Sequence, residues 1–203
     1  EEGAPGDTGT LSVKGFSGEV SDVAGNVTKV TKRNLDGDTI SADTTAPELV
    51  KLTAIAPDFE YDNLLQDTDE TKRYGIGKEI IIIAEYSDEV YNLSSNTISA
   101  LSASNAPELK IKFGDTVRIA DFNRVEGKEV YYTYTISNEN NGDNGKLSIA
   151  SLNGTVSDIA GNTTQVTKRE LDGDTIIADT TKATITFDSV TVVNYDDNGN
   201  VIT

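Results

Sequence analysis

"GTVSDIAGNTTQV" (Gly154 to Val166) reads as a strand, a tight turn and a returning strand. Ala160-Gly161-Asn162 suits a hairpin turn, because Gly and Asn reach positive φ at low steric cost. Asp158 stands just before it, where a short carboxylate accepts backbone N–H groups of its own turn. Upstream, "LSIASLNGTVSD" is a strand running into the turn, and "TTQVTK" is its partner.

The same reading occurs a second time. "GEVSDVAGNVTKV" (Gly18 to Val30) lies 136 residues earlier, and that offset holds without gaps from Leu11–Thr45 to Leu147–Thr181. About two-thirds of the positions are identical across that span. A period this long is one domain, not a short solenoid unit. The expected organisation is residues 1–42 as the C-terminal part of a first repeat, 43–178 as a complete repeat, and 179–203 as the start of a third. The third segment has a second reading, as a strand that pairs with a neighbour. A unit of this size buries roughly two-thirds of its unfolded surface and can hold a core of its own.

Alternation supplies the strands of the complete unit. "KEIIIIAEYS" places Ile80, Ile82, Ala84 and Tyr86 on one face. "ELKIKF" sets Leu109, Ile111 and Phe113 against Lys110 and Lys112. "VYYTYTI" turns Val130, Tyr132, Tyr134 and Ile136 inward and Tyr131, Thr133 and Thr135 outward. "APELVKLTAIAP" opens the unit as an edge strand, with Pro47 and Pro57 marking its ends. "LDGDT" is a further turn, and "NTISALSASNAP" has room for one short helical turn at most. About seven short strands joined by Gly and Asn turns predict an all-β protein, an antiparallel β-sandwich.

Composition narrows the chemistry. The 203 residues include no Cys, His, Met or Trp. That removes disulfides, thiolate and imidazole ligands, and Ser-His-Asp or Cys-His catalysis. The acids that remain lie in predicted loops, and no spacing singles out a pair for glycoside hydrolysis. The expectation is no enzyme. The net charge of −17, from 34 acids and 17 bases, repels phosphate backbones and anionic lipid. Nucleic acid is not an expected partner, and no apolar run is long enough for membrane insertion.

"GKEIIIIAEYSDEV", "VYYTYTIS", "GTVSDIAGN" and "ADTTAP", in that unit's order and spacing, resemble the bacterial immunoglobulin-like repeats of giant surface adhesins and surface-layer proteins. The resemblance implies an immunoglobulin-like sandwich in a tandem array, an extracellular location on the bacterial cell surface, and a role as a spacer or stalk. In related adhesins the linkers and nearby loops bind calcium and stiffen the rod. One departure stands out. The third segment has "DTTKAT" where the second has "DTTAPE", so its junction lacks the proline.

Calcium, the one cofactor to weigh, takes six to eight oxygens. The candidate ligands are Asp43 and Asp179 in the linkers, Asp22 and Asp158 in the turns, and the pairs Asp36/Asp38 and Asp172/Asp174. The acidic loop with Asp58, Glu60, Asp62, Asp67, Asp69 and Glu70 is another candidate, as is the tail "YDDNGN" (Tyr195 to Asn200). The competing reading makes all of these turn residues and a solvated acidic face; no EF-hand or nonapeptide spacing is present.

Other features have plain readings. Lys51 stands where some surface sandwiches form an isopeptide, but its counterpart is Phe187, which favours a solvated lysine. Asn26, Asn92, Asn153 and Asn162 occupy N-x-S/T contexts that matter only in a glycosylating host. Outward Tyr131 is a candidate sugar platform. It carries the alternative function, a carbohydrate- or protein-ligand-binding module with a host or matrix partner. The expected partners of the spacer are neighbouring repeats and self-assembly by strand pairing, with Thr184 to Val193 a candidate donor strand.

Overall fold

The computed structural model describes residues 9–13, 17–31, 39–56, 72–167, 170–173, 175–184, 194–195, 198 and 201–202. The chain is all-β, built from antiparallel sheets, with no helix among the described residues. Accordingly none of them forms a helix long and apolar enough to cross a membrane.

The first segment contributes β1 (Gly9–Thr10), β2 (Ser17–Ser21), β3 (Val27–Thr31) and β4 (Ser41–Ala42). The middle contributes β5 (Leu49–Ile55), β6 (Lys72–Tyr74), β7 (Glu79–Tyr86), β8 (Asn92–Ser94), β9 (Thr97–Ser99) and β10 (Glu108–Phe113). It continues with β11 (Thr116–Glu126), β12 (Glu129–Thr135), β13 (Gly145–Ser157), β14 (Thr163–Val166) and β15 (Ile176–Ala178). β16 (Asn194–Tyr195) and β17 (Val201–Ile202) form a terminal pair. The proposed donor strand lies mostly outside the described residues.

β5, β7, β12, β11, β10, β13, β15 and β6 follow one another in a hydrogen-bonded path, with β14 on β13. Every contact in it is antiparallel except that between β15 and β6. Two long strands change partners along their length. β11 pairs with β10 over Thr116–Ala120 and with β12 over Asp121–Glu126. β13 meets β15 at Gly145 and Lys146, β10 from Leu147 to Asn153, and β14 from Gly154 to Ser157.

Period-two alternation decides the core. Ile80, Ile82, Ala84 and Tyr86 of β7 are buried, and so are Leu109, Ile111 and Phe113 of β10 and Val130 and Tyr132 of β12. They join Leu52, Leu147, Ile149, Leu152, Val156, Val166 and Ile176 in one cluster. Each large member contributes roughly 1.5–3 kcal/mol of transfer free energy. The expected opening strand is β5, at an edge of the path. The "NTISALSASNAP" stretch makes β9 and then a single turn, with Ala106 N–H donating to Ser102 O.

Gly154 marks the crossover of β13 from β10 to β14. Its φ is +152°, and an added Cβ would lie 2.7 Å from Pro107 Cα. Glycine is required here on both counts.

Candidate functional site

The functional candidates lie at the two ends of the middle segment, where the chain arrives and leaves. At the leading end, the Asp158 turn closes on itself. Asn162 N–H donates to Asp158 Oδ1 at 2.9 Å, and Asn162 Nδ2 donates to Asp158 Oδ2 at 2.7 Å. Asp158 N–H reaches back to Asn162 O at 3.1 Å. The same asparagine Nδ2 also reaches Asp43 O at 3.0 Å. The turn therefore clamps the linker that precedes β5. Asp43 adds a local cap, accepting from Thr45 N–H at 2.9 Å.

At the trailing end the linker is Asp179-Thr180-Thr181, and Asp179 repeats the cap by accepting from Thr181 N–H at 3.0 Å. Asp179 N–H donates to Tyr74 O at 2.9 Å. Asn144 Oδ1 accepts from Thr180 N–H at 2.9 Å, Thr180 Oγ1 at 3.2 Å and Thr181 Oγ1 at 3.3 Å. Asn144 precedes β13 and Asp158 follows it. The two linkers are thus held at opposite ends of a strand of 13 residues, about 40 Å at ~3.3 Å per residue.

A buried polar centre supports the trailing end. Asp143 is fully buried and receives Arg118 Nε on Oδ1 at 2.7 Å. Its Oδ2 accepts from Tyr134 OH and from Ser137 N–H, each at 2.7 Å. Arg118 also donates from Nη2 to Glu139 O at 2.6 Å. The carboxylate hydrogen bond raises the Arg118 guanidinium above its ordinary range. Burial first, and then the bond to Asp143, pushes the Tyr134 phenol up. This network fastens the 137–143 loop to β11 and β12 just before Asn144. Sequence reading missed it. The signal was present in the repeat itself, since "GDNG" at Gly142–Gly145 matches "GDTG" at Gly6–Gly9 at the same 136-residue offset.

The other acidic candidates are dispersed. Asp22 is exposed and takes the same two bonds from Asn26, at 2.9 and 2.7 Å. The Asn26 side-chain amide, and next its backbone N–H, hold the Asp22 carboxyl below the usual range. Asp172 bridges to the edge strand, accepting from Leu52 N–H at 3.1 Å while its own N–H donates to Leu52 O at 2.7 Å. Asp36, Asp38, Asp174 and the 58–70 loop lie outside the described residues, as does most of the acidic tail. Among the described residues no three acids converge on a point that would hold a metal ion. Each described aspartate of the candidate set already has an N–H donor of its own.

Tyr131 is half-buried. The Arg124 guanidinium lies 3.8 Å from its ring centroid and so occupies one ring face. Arg124 also donates from Nε to Glu126 at 2.6 Å. Nearby is an open cleft of about 350 Å³, lined in part by Val90, Leu101, Phe122, Val125, Glu89 and Arg124. Lys51 is exposed on β5.

Comparison of the chain with protein-family models, with curated proteins and with solved structures finds no match.

Proposed function

We propose that the chain is a spacer segment of an extracellular bacterial surface protein, an adhesin, surface layer or fibre, built from immunoglobulin-like β-sandwich repeats in tandem. One observation carries the reading: the linkers at Asp43 and Asp179 are clamped at opposite ends of β13. A unit that receives the chain at one end and releases it at the other adds its own length to an array. The 136-residue repetition and the matching Asp-Thr-Thr linkers support the same reading. Small-angle scattering of the whole chain tests it. An extended particle, longer than the middle segment alone, is expected; a compact one sinks the proposal.

Calcium at the linkers belongs to this proposal. Asp43 and Asp179 each spend Oδ1 on a cap and are exposed. A melting temperature several degrees higher with calcium supports a metal-stiffened junction, by selective binding to the folded state. An unchanged melting temperature removes calcium from the reading.

The second reading is a ligand-binding module, favoured by the cleft beside Arg124. Glycan-array binding that is lost in Tyr131→Ala supports it. Absence of any glycan signal leaves the spacer alone.

A further inference from the structure

We propose that the aspartate of each Asp-Thr-Thr linker is held by two successive units at once. The turn Gly75–Lys78 of one unit then abuts the Asp158 turn of the next. The partner is another copy of this repeat, joined in tandem. The proposal rests on the spacer reading and goes further by naming the surfaces through which units meet.

Asp43 and Asp179 stand 136 residues apart in the same Asp-Thr-Thr sequence. They share a local shape, each accepting on Oδ1 from the N–H of the threonine two residues on, at 2.9 and 3.0 Å. The middle segment holds them by different atoms. Asp179 leaves it, and its N–H donates to Tyr74 O at 2.9 Å. Asp43 enters it, and its C=O accepts from Asn162 Nδ2 at 3.0 Å. One bond uses the N–H and the other the C=O, so a single aspartate can make both.

Such a junction has little room. The amide nitrogen and carbonyl oxygen of one residue are three covalent bonds apart. Tyr74 O of one unit and Asn162 Nδ2 of the next therefore lie within about 10 Å of each other. A Cβ on Gly75 would lie 3.8 Å from Asp179 O, so the turn after β6 is already against the linker carbonyl. The turn that carries Asn162 comes to that same carbonyl. On the trailing side the linker is fixed further by Asn144 Oδ1, which accepts from Thr180 and Thr181. No free chain remains at this point to act as a flexible spacer.

Both turns carry an exposed apolar residue. Ile76 is 46% exposed at the trailing end, and Ile159 is 69% exposed at the leading end. Turns in water favour Gly, Asn, Asp and Ser, and a β-branched apolar side chain gains nothing there. The Ile159 position nevertheless stays apolar at the 136-residue offset, as Val23, within a turn that otherwise repeats Asp, Ala, Gly and Asn. Contact between Ile76 of one unit and Ile159 of the next removes both from water. The contact joins a trailing face to a leading face, so it is heterologous and repeats without closing.

The test uses the whole chain with residues 43–178 given twice in succession, so that Ala178 of the first copy leads into Asp43 of the second. The chain has no cysteine, so Asp115→Cys in the first copy and Lys128→Cys in the second carry the only two spin labels. Both positions are exposed. Asp115 lies in the turn between β10 and β11 at the trailing end, and Lys128 in the turn between β11 and β12 at the leading end. A single narrow distribution of label distances is expected. Ile76→Asp in the first copy, or Ile159→Asp in the second, should broaden it. Urea unfolding separates a lost contact from a damaged unit. Both substitutions should leave the midpoint of the unduplicated chain in place and lower that of the duplicated one.

A broad distribution before substitution, a width indifferent to both substitutions, or equal midpoint shifts in the two chains overturns the proposal. A duplicated chain that does not fold overturns it together with the spacer reading. An extended particle in scattering with a broad label distribution keeps the spacer reading and rejects this one.

Discussion

Asp22 and Asp158 each take two hydrogen bonds from the asparagine four residues on, at the same pair of distances. Asp158 is buried at the leading end of the core; Asp22 stands in solvent. The turn is therefore a local product of Asp, Gly and Asn, and it forms alike in either setting. Its contribution to stability differs, because a hydrogen bond removed in solvent is replaced by water and one removed in the interior is not.

That contrast is open to attack, and tyrosine fluorescence in urea reads it cleanly, since residues 1–42 contain no tyrosine. The largest effect is expected at Asp143→Ala. It leaves Arg118, Tyr134 and Ser137 without their acceptor and should cost about 4 kcal/mol. Leu147→Ala should follow with a loss of about 3 kcal/mol, while Leu11→Ala leaves the midpoint in place. Equal shifts for the two leucines would mean that the first segment shares the core.

Asp158→Ala should cost about 2 kcal/mol by stranding two donors of Asn162, and Asp22→Ala should leave the midpoint unmoved. The smallest effect has the opposite sign. The hydroxyl of Tyr86 is buried with no partner among the described residues, so Tyr86→Phe should add about 1 kcal/mol. Burial pushes the phenols of Tyr86 and Tyr132 up. The stability they contribute is complete below the ordinary tyrosine range near ~10 and is lost as pH rises above it. Tyr86→Phe should flatten that alkaline decline; a slope equal to wild type would contradict the assignment.

The legible parts of the fold are those that obey short rules. β7, β10 and β12 were readable because alternation alone places their inward residues, and the hairpin because its turn chemistry is local. β11 was not. Its outward residues Val117 and Ile119 are apolar, while Arg118 turns inward to Asp143. A pattern search therefore reads this strand inside out or omits it. The Asn144 clasp was hidden for another reason. It joins residues 36 positions apart, and nothing in "NGDNGK" announces a partner in "DTTK". The linker aspartates were identified from the sequence, but the two side chains that hold the linkers, Asn162 and Asn144, emerged only from the fold.

The placement of the two linkers has a mechanical consequence. Tension between Asp43 and Asp179 pulls on β5 at one end and on β15 at the other, along the strands, while the ladders of β5 on β7 and of β15 on β6 and β13 bond across that line. Such bonds are loaded in shear and must rupture as a group. Peeling at one end, where they would fail singly under far less force, is not the route this geometry offers.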